Sequence, residues 1–97
     1  MARIVYTQNA LANLERAFTF LAEHDPGAAR DAAATIANAI DMLSDHPLVG
    51  RRIQDEIREL VISYAKDGYV ALYRFLPERR LIRVLAIRHQ RELDYSD

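Results

Sequence analysis

Apolar residues recur at helical spacing in the first half of the chain and at strand spacing in the second, with one irregular segment between. Leu11, Leu14, Phe18 and Leu21 follow at intervals of three, four and three, with Ala17 on the same stripe and Glu15, Arg16 and Glu23 facing away. That period predicts a one-sided helix beginning near residue 9, after a short strand over 3–6 and a polar stretch Thr7-Gln8-Asn9 that offers a cap. Asp25-Pro26 ends this helix and starts another, because proline suits the first helical position and aspartate caps the free amides there. The second helix runs to about Leu43 on a stripe of Ala29, Ala32, Ala33, Ile36, Ala37, Ile40 and Leu43, whose small alanines let it pack closely on the first as an antiparallel hairpin. Leu11, Leu14, Phe18, Ile36 and Ile40 are expected in the core.

Ser44–Gly50 reads as a surface loop with Pro47 and Gly50 setting its path. Three strands are predicted beyond it, roughly over 58–64, 69–76 and 81–90, joined by turns at Lys66-Asp67-Gly68 and Pro77–Arg80 into an antiparallel meander. The first strand can pair with this sheet. The pattern is β-α-α-β-β-β, an α+β fold in which a helical hairpin packs on a twisted antiparallel sheet, all within one domain over residues 1–97. In the strand over 69–76, Tyr69, Ala71, Tyr73 and Phe75 share one face and Val70, Leu72, Arg74 and Leu76 the other. One face suits the helices; the other is too apolar for bulk water alone, and a partner or the C-terminal tail would cover it.

Composition narrows the function classes. Ninety-seven residues, 51% of them apolar, support one modest core. The net charge of -1 gives no general attraction to nucleic acid, yet ten of the thirteen basic residues lie after residue 50 and all but Lys66 are arginines, which suit planar contacts to carboxylates or phosphates. Without cysteine there is no disulfide, thiolate catalysis or Cys-based metal site. His24, His46 and His89 match no metal spacing, so neither metal nor cofactor is expected. The N-terminus lacks the apolar stretch of a signal peptide and no run has the length of a membrane span, so a cytoplasmic protein with no membrane partner is expected.

Four stretches stand in a specific order: Pro47, Gly50 and Arg51; Arg58-Glu59-Leu60; Gly68-Tyr69 with Tyr73-Arg74; and Arg83-Val84-Leu85 with His89. Together they resemble the ParE branch of the RelE/ParE superfamily of toxins from type II toxin-antitoxin (plasmid stabilisation) systems, over nearly the whole chain. The resemblance implies a noncatalytic inhibitor of DNA gyrase, or of the related topoisomerase IV, neutralised by a cognate antitoxin that wraps around it. The RelE-like branch instead cleaves messenger RNA on the ribosome with basic residues and a tail tyrosine. Its strand arginine would match position 70, where Val70 stands; its tail arginine would fall at His89, with Arg91 two residues on, and its tail tyrosine at Tyr95. Those ribonucleases also tend to be strongly basic, unlike this chain.

Arg74 and Arg83 fall on adjacent strands, where they form a patch receptive to an acidic antitoxin segment or pair with Glu59 or Glu78. His89 shares a face with Ile87, as a hydrogen-bonded strand-end residue or a general base, while Arg88 faces the other way. Arg91 and Tyr95, in the tail, are read as partner contacts, and Arg88 and His89 are expected with them to bind the antitoxin or the target. In the ribonuclease alternative His89 would move the proton, Arg88 or Arg91 would stabilise the phosphate and Tyr95 would orient a base.

Overall fold

A computed structural model describes residues 1–64 and 67–90. The elements are β1 (Arg3–Tyr6), α1 (Gln8–His24), α2 (Pro26–Asp41), a 3-10 turn (Met42–Ser44), β2 (Arg51–Gln54), β3 (Ile57–Tyr64), β4 (Asp67–Leu76), a second 3-10 turn (Pro77–Arg79) and β5 (Leu81–His89). Of the three candidate caps Thr7 is the one used, its hydroxyl accepting from the Ala10 amide at 3.1 Å. Asp25 is extended, which stops α1, and its carboxylate accepts from the amides of Gly27 and Ala28 to start α2 behind Pro26.

The five strands run in the order β1-β5-β4-β3-β2. Successive strands from β2 to β5 are antiparallel, but β1 lies parallel to β5, so the sheet is mixed rather than wholly antiparallel. The two helices carry the chain away from the end of β1, and a connection that long permits parallel pairing with a later strand. Strand β2 is absent from the reading of the sequence because its four residues are all exposed and show no apolar alternation. Pairing with β3 makes it a strand: Arg51 opposes Glu59, Arg52 opposes Arg58, Ile53 is an extra residue, and Asp55 turns the chain at φ 49.

Both helices cover one face of the sheet. There Ala10, Ala32, Ile36, Ile40 and Leu43 pack with Tyr69, Ala71, Tyr73, Ile82, Val84 and Ile87. The expectation that Leu11 and Phe18 are core does not hold: they are 52% and 41% exposed. Helix α1 instead rests on Ala10, Leu14, Ala17 and Leu21, a stripe rotated away from those two side chains. Two features set that rotation. Ala10 is fully buried, letting the helix approach closely, and the side-chain oxygen Oδ1 of Asn13 accepts from the Ile87 amide at 3.0 Å. No helix among the described residues is long and apolar enough to cross a membrane.

The loop before β2 is tied to the sheet from below. Tyr73, fully buried on β4, accepts from the Gly50 amide at 2.9 Å and donates to the Pro47 carbonyl at 2.8 Å. Burial pushes its phenol above the ordinary 10.0, outweighing the Gly50 amide and the Arg58 guanidinium, which pull the other way. Burial and the Asp41 carboxylate raise Tyr6 as well. A phenol whose pKa is higher folded than unfolded contributes stability that is complete below pH 10 and is lost as pH rises through the folded value. The thermal midpoint should therefore fall above pH 10. Tyr73→Phe should flatten part of that fall while costing about 1–3 kcal/mol at neutral pH, a difference that thermal scans of both proteins across pH 7–11 will measure.

Candidate functional site

Strand register places the side chains of the helix-free face in rows. Arg3, Leu81 and Leu76 form the first; Val5, Arg83, Arg74 and Ile57 the second; Ala86, Leu72, Glu59 and Arg51 the third; Arg88, Val70 and Val61 the fourth. Arg83 and Arg88 are five positions apart, so plain alternation would put them on opposite faces. An extra residue in β5, Leu85, corrects this: Tyr73 opposes Val84 while Leu72 opposes Ala86. The Leu85 carbonyl is held from the other side by the Thr7 hydroxyl at 3.2 Å and the Asn9 amide group at 3.0 Å. The bulge thus brings Arg74, Arg83 and Arg88 to one surface.

These three arginines have no acidic partner among the described residues. Glu59, a candidate partner for Arg74 or Arg83, is taken by Arg51 at 2.8 Å. The other described ion pair joins Arg52 to Glu56 at 3.1 Å. Arg74 and Arg83 are direct cross-strand neighbours, an arrangement that like charges disfavour. The Nε of Arg74 is shut off from solvent without a hydrogen bond among the described residues. Around them Val5 and Val61 are 41% and 56% exposed, and Ile57, Leu72 and Leu76 are half-buried. Positive charge set among apolar side chains suits an acidic segment that also carries apolar residues.

His89 lies on the other side of the sheet. It opposes Tyr69, with the two rings edge to face at 5.2 Å and 86°, and so belongs to the helix-covered face while Arg88 belongs to the helix-free one. Val70, where a ribonuclease of this superfamily would carry an arginine, is buried between Val61 and Arg88. Arg91 and Tyr95 lie outside the described residues. Arg3 and Val5 were missed as members of the arginine face because a strand's parallel register cannot be read from its own four residues.

Residues 4–94 match the family described as ParE toxin of type II toxin-antitoxin system, parDE. The chain belongs to the ParE toxin family. Toxin RelE2 of Caulobacter vibrioides is 33% identical over 88 residues, spanning 84% of this chain and 100% of that protein. Putative toxin Y4kP of Sinorhizobium fredii is 35% identical over 89 residues, 90% of this chain and 86% of its own length. Among solved structures, the chromosomal ParDE system from P. aeruginosa superposes with a TM-score of 0.76 at 20% identity, covering 92% of this chain and 96% of that one. The intact E. coli RelBE toxin-antitoxin complex gives 0.62 at 11% identity, covering 91% and 95%. Both structural likenesses concern the fold. Since relatives named for either branch resemble this ParE-family chain, its target has to be argued from its own residues.

Proposed function

We propose that this ParE-family toxin acts by occupying DNA gyrase or topoisomerase IV rather than by catalysis, and that a cognate antitoxin silences it across the arginine-bearing sheet face. The observation that carries the noncatalytic reading is the division of the polar groups at the end of β5. Arg88 and His89 point to opposite faces, and Val70 is buried where a phosphate-stabilising arginine would be required. A proton-transfer group and a phosphate clamp must converge on one reacting atom, and these do not. For the antitoxin, the supporting features are Arg74, Arg83 and Arg88, which have no acidic partner among the described residues, and the apolar residues between them.

Stoichiometric toxin is expected to inhibit supercoiling by purified gyrase, with cleaved DNA accumulating. Unchanged supercoiling and unchanged topoisomerase IV relaxation at large toxin excess would reject both targets. The ribonuclease alternative, which the name of the Caulobacter relative favours, requires translating ribosomes and messenger RNA as partners. It is tested by primer extension on translating messages with the parent, His89→Ala and Tyr95→Phe.

A further inference from the structure

Just before β2 the chain carries two consecutive apolar side chains into solvent, Leu48 at 59% and Val49 at 54% exposure. Isolated exposed leucines are ordinary surface, and a mobile loop tip would lose much freedom on docking. This tip is held in place before any partner arrives. The Pro47 carbonyl and the Gly50 amide both bond the buried hydroxyl of Tyr73. One guanidinium nitrogen of Arg58 donates to the Leu48 carbonyl at 3.2 Å and to the Gly50 carbonyl at 2.8 Å, and the Val49 amide bonds the His46 carbonyl at 3.2 Å. Gly50 packs directly on the Tyr73 ring and on the Glu59 backbone.

The charge around this tip differs from that of the arginine face. Arg51 and Arg52, which follow it, are matched by Glu59 and Glu56 at 2.8 and 3.1 Å. A fixed apolar pair in a charge-balanced rim discriminates by shape, as anchor residues do when they seat in a preformed pocket. The basic groups an acidic segment would meet there are already engaged, Arg51 and Arg52 by Glu59 and Glu56 and Arg58 by the Leu48 and Gly50 carbonyls. Tyr73 also faces the helix side of the sheet, so the loop is moored on the face opposite Arg74 and Arg83.

We propose that Leu48 and Val49 are the anchor by which this chain grips its folded protein target, seating in an apolar pocket of that target while the arginine face receives the antitoxin. The inference rests on the toxin reading above and adds which surface delivers the toxin. The test uses the full chain, a Leu48→Ser/Val49→Ser double variant, and Tyr73→Phe, which loosens the mooring but keeps the tip. Both substituted tip residues are exposed, so circular dichroism and the thermal midpoint of the double variant should match the parent. Half-inhibition of purified gyrase should then need at least about tenfold more of the double variant, with Tyr73→Phe intermediate and antitoxin affinity within about twofold of the parent.

Equal inhibition by parent and double variant would overturn the anchor and leave the toxin reading standing. If the parent leaves gyrase and topoisomerase IV untouched, the choice of target fails separately and growth arrest on expression decides. Arrest lost in the double variant supports the anchor on another protein, arrest retained overturns it, and a parent that arrests nothing overturns both readings. Loss of antitoxin binding in the double variant, or a parent dimer that it converts to monomer in sedimentation, would assign the tip to the antitoxin or to a second copy and so also overturn the proposal.

Discussion

Replacing Gly50 with alanine should lower the thermal midpoint by roughly 15 °C, a loss of about 3 kcal/mol for a domain of this size. A Cβ at Gly50 would lie 2.6 Å from both Cε1 and the hydroxyl of Tyr73 and 2.9 Å from the Glu59 carbonyl oxygen. Neither neighbour can give way cheaply. Tyr73 is completely buried in the core, and the Glu59 carbonyl belongs to the backbone of β3. Relief therefore requires either swinging the phenol, which breaks its bonds to Gly50 and Pro47, or lifting β2 from β3. Gly27→Ala is the matched control, because its Cβ meets only the Asp25 carboxylate, at 3.3 Å, from a helical position. Calorimetric scans of the two variants should separate widely; a Gly50→Ala midpoint within a few degrees of the parent would show that the loop is not moored as described.

Arg83→Glu should do two things at once that an ordinary surface substitution does not. It places a carboxylate directly across from Arg74, turning a like-charge pair into an opposite-charge pair, and should stabilise the free toxin by about 0.2–1 kcal/mol. The same change removes one positive group from the face assigned to the antitoxin and engages a second. Antitoxin affinity should fall roughly a hundredfold, or about 2.7 kcal/mol. Isothermal titration against the antitoxin, read beside a thermal scan, measures both. Stability and affinity that rise or fall together would mean that Arg83 acts through the fold; unchanged affinity would move the antitoxin away from this face.

Much of the architecture was legible because its signals are local. The cap and proline that open α2, the alanine stripe of that helix and the alternation in β4 each specify an element from a few neighbouring residues. Three features were not, and each depends on residues far apart in sequence. The parallel placement of β1 beside β5 is set by where the helices carry the chain. The rotation of α1 that leaves Leu11 and Phe18 exposed follows from Asn13 bonding Ile87. The exposed β2 owes its form to pairing with β3 rather than to its own composition. The candidate site divides the same way: the adjacency of Arg74 and Arg83 follows from a short hairpin, whereas the sharing of a face by Arg83 and Arg88 depends on a bulge at Leu85 hidden inside a continuous apolar run. The anchoring role of Tyr73 under the Pro47–Gly50 loop spans 26 positions: Pro47, Gly50 and Tyr73 each stand out in the sequence, but no local pattern joins them.

The most direct measurement follows DNA and RNA in the same cells after the toxin is induced without its antitoxin. RNA 5′ ends are sequenced while the DNA-damage response and chromosome breaks are monitored, for the parent and for His89→Ala. The expected result is DNA damage from the parent with no new message ends, and the same response from His89→Ala. New, discrete cuts in translated messages that disappear with His89→Ala, in cells whose DNA stays intact, would contradict a noncatalytic toxin acting on a topoisomerase.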